Sequence, residues 1–338
     1  MKYTHHEPTS NYFCISVSLL LIVFLAGCSS LVVPLQSTDQ IEITYIENQQ
    51  NSGSLYAVDI TCLSSVKVCT GEPLLLFQTL TMPDSAQAEP KGLLTDYSWS
   101  PTGKEIVLVS AGDLVIGFIS TNVKKWVNIT NSPQIDEWEP KWSSDGDFIY
   151  YIECLRDSSG ACTPKFARID RLGNNKLYLL SNLNTSIDNY DLSPDDREVI
   201  YTSMDKQGYE QVYKTNLDGI NIHQLTLGNF NNTSPSYSSN GKEIVFVRSN
   251  RRDYKDAKPE FDVVLKDLET GIEKNVIEKH AGDAFTPFFS PDGKWIAFTF
   301  YDENLMPKIF LISPDKKDLI QLTQNNEGVL PAWRLITR

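Results

Sequence analysis

"SPDGKWIAFTF", residues 290–300, sets a four-residue turn directly against a short apolar run. Pro291 presets φ, Asp292 accepts hydrogen bonds within its own turn, Gly293 accommodates a left-handed backbone, and Trp295 to Phe300 suits a strand. A single copy is a hairpin signal. Here the pattern returns as "YSWSPTGKEIVLVS" from Tyr97, "PKWSSDGDFIYYIE" from Pro140, "YDLSPDDREVIYTS" from Tyr190, "PSYSSNGKEIVFVRS" from Pro235 and "PFFSPDGKWIAFTF" from Pro287. A shortened copy, "PAWRL", starts at Pro331. The large apolar residue heading the turn is Trp99, Trp142, Leu192, Tyr237, Phe289 and finally Trp333, at intervals of 43 to 52 residues. That period marks a propeller or an array of stacked units.

Each unit holds further apolar runs. After the motif strand come segments such as "DLVIGFIS", "KFARID" and "KIFLISPDKK", then a shorter one such as "KKWVNIT" or "IHQLTLG". Four short strands in about 45 residues is the content of one propeller blade. A β-helix needs a far shorter repeat, and a sandwich needs no long-period similarity. "PAWRL" supplies a first strand with nothing after it, whereas "IEITYIENQQNSGSLYAVDITC" and "PLLLFQTLT" supply three later strands with no first. Joined, they complete a blade and close the ring without open sheet edges. The expectation is an all-β, six-bladed propeller over residues 41–338, and a monomeric one. Where the turn lacks Gly, Asp196 stands in, since Asp tolerates a left-handed backbone better than most residues.

The repeat resembles the PD40, or WD40-like, repeat of TolB-type six-bladed propellers, and the resemblance runs from about Ile41 to Leu335. It implies a fold more than an activity, because such blades occur in periplasmic binding proteins, in gating domains of prolyl-oligopeptidase-like enzymes and in some lyases. TolB carries an α/β domain ahead of its propeller, and the short stretch between Cys28 and Ile41 has no room for one. A place in a Tol-Pal system does not follow from the repeat.

Residues 1–27 read as an export signal. "CISVSLLLIVFLAG", Cys14 to Gly27, is apolar, uncharged and short for a ~30 Å hydrocarbon layer. "LAGC", ending at Cys28, resembles the bacterial lipobox, which implies a diacylglycerol on Cys28 and a tether over residues 28–40. An ordinary signal peptide or an anchor helix remains open, and the basic n-region is weak, with Lys2 beside Glu7. The expected location is extracytoplasmic, lipid-anchored to the cell membrane or the outer membrane. The formal charge of −13 disfavours nucleic acid, whose phosphates need basic patches. Four cysteines remain beyond Cys28, in two local pairs, Cys62 with Cys69 and Cys154 with Cys162; they suit disulfides in an oxidising compartment better than zinc, which favours CxxC spacing with histidines.

No GxSxG elbow, HExxH helix or nucleotide fingerprint is present, and no cofactor is implied. His223 falls on an outer strand and His280 on a loop entering a first strand. The loops entering the first strands carry Asp96, Asp136, Glu137, Glu139, Asp188, Asp283 and Glu327, with aromatic neighbours Trp138, Tyr190 and Phe285. If these loops ring one mouth of the channel, their carboxylates would recruit a basic peptide segment or a cation such as Ca²⁺, and the aromatics would supply flat anchoring contacts. The reading that follows is a non-enzymatic binding or scaffold module for a cell-envelope protein, peptide or glycan. The alternatives are a lyase or hydrolase acting on polysaccharide or peptide through acidic residues, and acidic loops that are merely solvated.

Overall fold

A computed structural model describes residues 40–49, 52–60, 73–78, 94–119, 124–156, 162–181, 183, 187–250, 260–281, 283–301, 306–323 and 328–336. The export signal, Cys28, the tether to residue 39, Cys62, Cys69 and Glu327 lie outside them.

Twenty-four strands make six four-stranded antiparallel sheets among the described residues. The first three are β1 (Gln40–Gln49), β2 (Ser52–Asp59) and β3 (Leu74–Gln78). Blade 1 holds β4 (Tyr97–Trp99), β5 (Glu105–Ser110), β6 (Asp113–Ile119) and β7 (Lys124–Asn128). Blade 2 holds β8 (Ile135–Trp142), β9 (Phe148–Leu155), β10 (Lys165–Asp170) and β11 (Leu177–Tyr178). Blade 3 holds β12 (Asp188–Leu192), β13 (Glu198–Met204), β14 (Glu210–Asn216) and β15 (His223–Gln224). Blade 4 holds β16 (Asn231–Tyr237), β17 (Glu243–Ser249), β18 (Glu260–Asp267) and β19 (Glu273–Ala281). Blade 5 holds β20 (Asp283–Phe289), β21 (Ile296–Tyr301), β22 (Pro307–Ile312) and β23 (Leu319–Gln321). The last strand, β24 (Val329–Ile336), joins the first three in the order β24-β1-β2-β3, which is blade 6. Ring closure is therefore non-covalent, with Gln40 opposite Ile336 and Ile43 opposite Trp333.

The motif turn has one chemistry throughout. In Ser143, Ser193 and Ser290 the hydroxyl donates to the Asp two residues on, at 2.6 to 2.7 Å, and accepts from the backbone N–H five residues on. Ser238 does the same with Asn240 at 2.9 Å. Gly103, Gly146, Gly241 and Gly293 have φ between 66° and 76°, and Asp196 occupies the same place at φ 55°. The sequence expectation for Asp196 holds, and its carboxylate adds a bond of its own, accepting from Ser144 N in blade 2 at 2.7 Å.

Second strands such as "EIVLVS" and "EVIYTS" are buried almost continuously, not on alternate residues, because neighbouring blades cover both faces. The core accordingly sits between blades. Val107, Ile116, Trp142 and Tyr151 fill the space between blades 1 and 2, and Phe261, Phe289 and Phe298 the space between blades 4 and 5. The heading aromatic also locks adjacent blades: Trp142 Nε1 donates to Ser98 O and Trp333 Nε1 to Phe288 O. At the closing blade Thr44 relays the same lock, accepting from Trp99 Nε1 at 2.9 Å and donating to Ala332 O at 3.1 Å.

Candidate functional site

Antiparallel order places the loop entering each first strand on one face of the ring, the mouth, and the motif turns on the other. Near the mouth the first strands share an irregularity. Pairing slips between Trp138 and Lys141, Asp188 and Tyr190, Thr233 and Ser236, and Phe285 and Phe288, while β1 slips against β24 between Thr44 and Ile46. One residue at each slip is left-handed although none is glycine: Glu139, Asn189, Ser234, Thr286 and Leu330, with φ of 46° to 51°. Proline follows four of them, as expected where a bulge leaves an N–H without a ladder partner. Strained backbone of this kind, costing about 1 kcal/mol or more per residue, concentrates at functional sites.

These five residues, with Asp96 of blade 1, line a central cavity of about 480 Å³. A second ring lies one step further along the strands, formed by Ser98, Lys141, Asp191, Ser236, Phe288 and Ala332. The wall is divided. Blades 1 to 3 contribute Asp96, Glu139, Lys141 and Asp191, whereas blades 5 and 6 contribute Thr286, Phe288, Leu330 and Ala332.

On the acidic side each blade braces the carboxylate of the one before. The Glu139 backbone N–H donates to the Asp96 carboxylate, the Tyr190 N–H donates to Glu139 Oε2 at 3.4 Å, and Asp191 Oδ2 accepts from Ser236 Oγ at 3.0 Å and Tyr237 N at 2.9 Å. Lys141, the only cation among the described lining residues, pairs with Asp191 at 3.2 Å. Burial pushes Asp96 up to about 6, against the Glu139 N–H and the Lys141 charge. Burial, and then the Asp96 charge, push Glu139 up to about 7, against Lys141. Two adjacent carboxylates thus face the channel and titrate near neutrality.

The structure brings Asp96, Glu139 and Tyr190 together at the channel, sets Asp188 close to Glu139, and scatters the rest. Tyr190 is buried and its hydroxyl donates to Glu139 O at 2.7 Å, so it holds the acid in place and presents no open ring face. Asp136 sits on the rim and pairs with Arg156. Glu137 is buried between blades 1 and 2, where Thr130 Oγ1, Ser132 Oγ and Leu114 N all donate to its carboxylate. Trp138 packs half-buried between blades 2 and 3. Asp188 opens β12 near Glu139 and Glu210. Phe285 is exposed and meets Tyr301 edge-on at 5.5 Å. Asp283 opens β20, its side chain outside the described set.

Several of these acids are strand residues, not loop residues, because the bulged pairing extends the first strand toward the mouth. His280 likewise lies within β19, opposite Phe261, and not on the loop before β20. Cys154 and Cys162 are joined in a disulfide with Cα atoms 5.6 Å apart. Lys141, Asn189, Asp191, Ser234, Thr286, Phe288 and Leu330 escaped the sequence reading. A signal for them existed, since the two lining rings fall three residues and one residue before the large apolar residue that heads the turn in every repeat. Among the described residues no group of three or more His, Cys, Asp or Glu is placed to hold a metal ion.

No family model and no curated protein matches the sequence. Solved structures do. TolB from Acinetobacter baumannii matches with a TM-score of 0.61 and 20% identity over 87% of this chain, which spans 66% of that one. A chain of the nidogen/laminin complex gives 0.58 and 11%, covering 88% of this chain and 100% of its own. Hydrazine synthase from Kuenenia stuttgartiensis gives 0.63 and 11%, over 89% of this chain and 47% of that. At these identities the likeness is one of fold, and the fold is that of a TolB-like six-bladed propeller.

Proposed function

We propose that this chain is a lipid-anchored, extracytoplasmic propeller that binds a protein or peptide partner non-enzymatically, taking a basic group of that partner into the mouth of its channel. One observation carries the reading. Asp96 and Glu139 stand side by side on the channel wall, both partly desolvated, while the cation beside them is already paired with Asp191. A buried carboxylate pair is stabilised by a positive charge placed between its members, and a low-dielectric mouth strengthens that attraction. A basic side chain suits two side-by-side carboxylates better than Ca²⁺, which takes six to eight oxygen ligands, since among the described residues no group of three or more His, Cys, Asp or Glu is placed to hold a metal ion. The nidogen/laminin complex is a precedent for a propeller of this shape in protein–protein binding. Anchoring through Cys28 and an extracytoplasmic location rest on the "LAGC" sequence.

A second reading has one specific support. Carboxylates titrating near 6 and 7 in a cleft are also what a general acid–base pair needs, and would suit a lyase or hydrolase. One experiment separates the two. Crosslinking pull-downs from cell-envelope extract with the Cys28→Ser chain should recover a specific partner, and Asp96→Asn with Glu139→Gln should reduce its recovery at least tenfold without lowering the melting temperature. Undiminished capture would place the binding site elsewhere. Turnover of a glycan or peptide from a panel, abolished by Glu139→Gln, would establish the enzyme instead.

A further inference from the structure

The two faces of the ring expose different apolar side chains. At the mouth they are chiefly aromatic or sulfur-containing: Phe230, Phe285, Met204 and Met306, with Leu155 and Leu227. On the turn face they are aliphatic and sit on the turns between third and fourth strands, Leu172 in blade 2, Ile220 and Ile222 in blade 3 and Ile272 in blade 4, or just after that turn, as does Leu319 at the start of β23 in blade 5. Leu172, Ile220 and Ile272 are 76%, 69% and 68% exposed. The Phe and Met residues of the mouth suit a protein interface, and exposed Leu and Ile tips can insert at the boundary between lipid headgroups and acyl chains.

The start of the ring points the same way. Gln40 opens β1 opposite Ile336, at the end of β24 that lies on the turn face. The chain from Cys28 therefore enters the propeller on the face that carries the aliphatic tips. Twelve residue steps lead from Cys28 to Gln40, a reach of about 40 Å at ~3.3 to 3.6 Å per residue. Such a tether makes any contact between that face and the bilayer intramolecular, so weak contacts suffice to orient the ring.

Charge selects the lipid. Lys294 pairs with Asp292 at 3.2 Å, Lys317 with Asp315 at 2.6 Å and Arg197 with Asp195 at 3.7 Å, all within their own turns. These three cations are matched by carboxylates of their own turns, and the exposed Lys104, Lys242 and Lys316 are outnumbered by further turn acids such as Asp145, Asp147, Asp218, Asp267 and Glu269, so the described turns hold no excess of positive charge to select anionic lipid.

We propose that the turn face lies on a zwitterionic lipid surface, its aliphatic tips in the headgroup layer, so that the acidic mouth is presented away from the membrane. The proposal rests on the lipid-anchor reading of Cys28. Full-length lipidated protein would be reconstituted on phosphatidylcholine vesicles as two variants, Ile272→Cys on the turn face and Leu227→Cys at the mouth, each labelled with a bimane fluorophore. On vesicles, iodide quenching at position 272 should fall at least threefold and quenching by a headgroup-region nitroxide lipid should appear. Position 227 should behave as it does without lipid. Lipidated protein that floats with vesicles while position 272 stays fully open to iodide overturns the orientation and leaves the anchor standing, as does shielding of position 227 in its place. Failure to float, with wild type and Cys28→Ser alike, overturns the anchor reading and the orientation with it. Replacing Leu172, Ile220, Ile272 and Leu319 together by Ser should restore iodide access at a label on position 222 (Ile222→Cys) while flotation persists; unchanged shielding there would show that the aliphatic tips do not hold the face down.

Discussion

The first strand of each blade has two ends, and they follow different rules. At the turn end five blades repeat one solution: a Ser hydroxyl bonded to an Asp, Asn or Thr two residues on, and a left-handed Gly or Asp after it. At the mouth end the backbone is as regular, with a left-handed residue at the same place in five blades, yet the side chains there are Asp96, Glu139, Asn189, Ser234, Thr286 and Leu330. The turn end closes its hydrogen bonds within its own few residues, so each blade meets the same requirement and keeps the same residues. The mouth end faces a cavity, so its backbone is fixed by the ring and its side chains are free to differ. Repetition marks what the fold needs, and variation on a repeated backbone marks where a ligand can be read.

Substitution at the turn end should therefore be the more damaging. A Cβ on Gly103 would lie 1.9 Å from Leu335 O, a backbone atom of the closing strand, and φ there is +66°. Gly271 has a similar φ of +72° but nothing within 4 Å of its Cβ position. Gly103→Ala should lower unfolding stability by about 3 kcal/mol or more, since strain and a backbone clash add, against about 1 kcal/mol for Gly271→Ala. Denaturant melts of both variants would measure this. Equal losses would mean that closure against β24 tolerates displacement and that the turn end is not the rigid one.

At the mouth end the prediction has the opposite sign. Asp96 and Glu139 have folded values of about 6 and about 7, above their ordinary 3.8 and 4.5, so the folded ring holds these protons more tightly than the unfolded chain. Their contribution to stability is complete below about pH 4 and is lost as pH rises through about 7. Asp96→Asn with Glu139→Gln should flatten that dependence and raise stability at pH 7.5 by on the order of 2 kcal/mol, allowing for screening by water in the channel. Thermal melts at pH 5 and pH 7.5 test it. A variant no more stable than wild type at pH 7.5 would show that the acids are not held at the expense of the fold, and would erase the contrast between the two ends.

The same contrast explains what could be read from the sequence. The turn end was legible because Ser, Pro, Asp and Gly have intrinsic backbone preferences that need no tertiary context, and blade count and closure followed from their spacing. Asp96 and Glu139, which line the cavity, stand out in the sequence by charge alone. Glu137 was misjudged as a companion of theirs because Thr130, Ser132 and Leu114, which bury and bond it, lie in the preceding blade and its connection. Thr286 and Leu330 carry no charge and were passed over, although both stand immediately before a repeated proline, Pro287 and Pro331, that marks the bulge. Chemistry that is local in sequence was readable, and chemistry assembled across blades was not.

Asp196 tests the contrast most finely, because it is the one motif turn where the repeated glycine is replaced. Glycine at this position would relieve a left-handed backbone, worth about 0.5 to 1 kcal/mol for an Asp, which tolerates that region better than most residues. It would also remove the carboxylate that accepts from Ser144 N at 2.7 Å across the interface of blades 2 and 3, worth about 1 kcal/mol. Burial raises the proton affinity of that carboxylate, and the Ser144 bonds only partly offset it, so the bond is made against a desolvation penalty. The terms nearly cancel, and Asp196→Gly should change stability by less than about 1 kcal/mol, a shift of roughly 3 °C or less in the melting midpoint. A substantially larger loss would show that this turn is held by its neighbour and not by its own backbone chemistry, which would make blade 3 the exception to the rule that the turn end is locally determined.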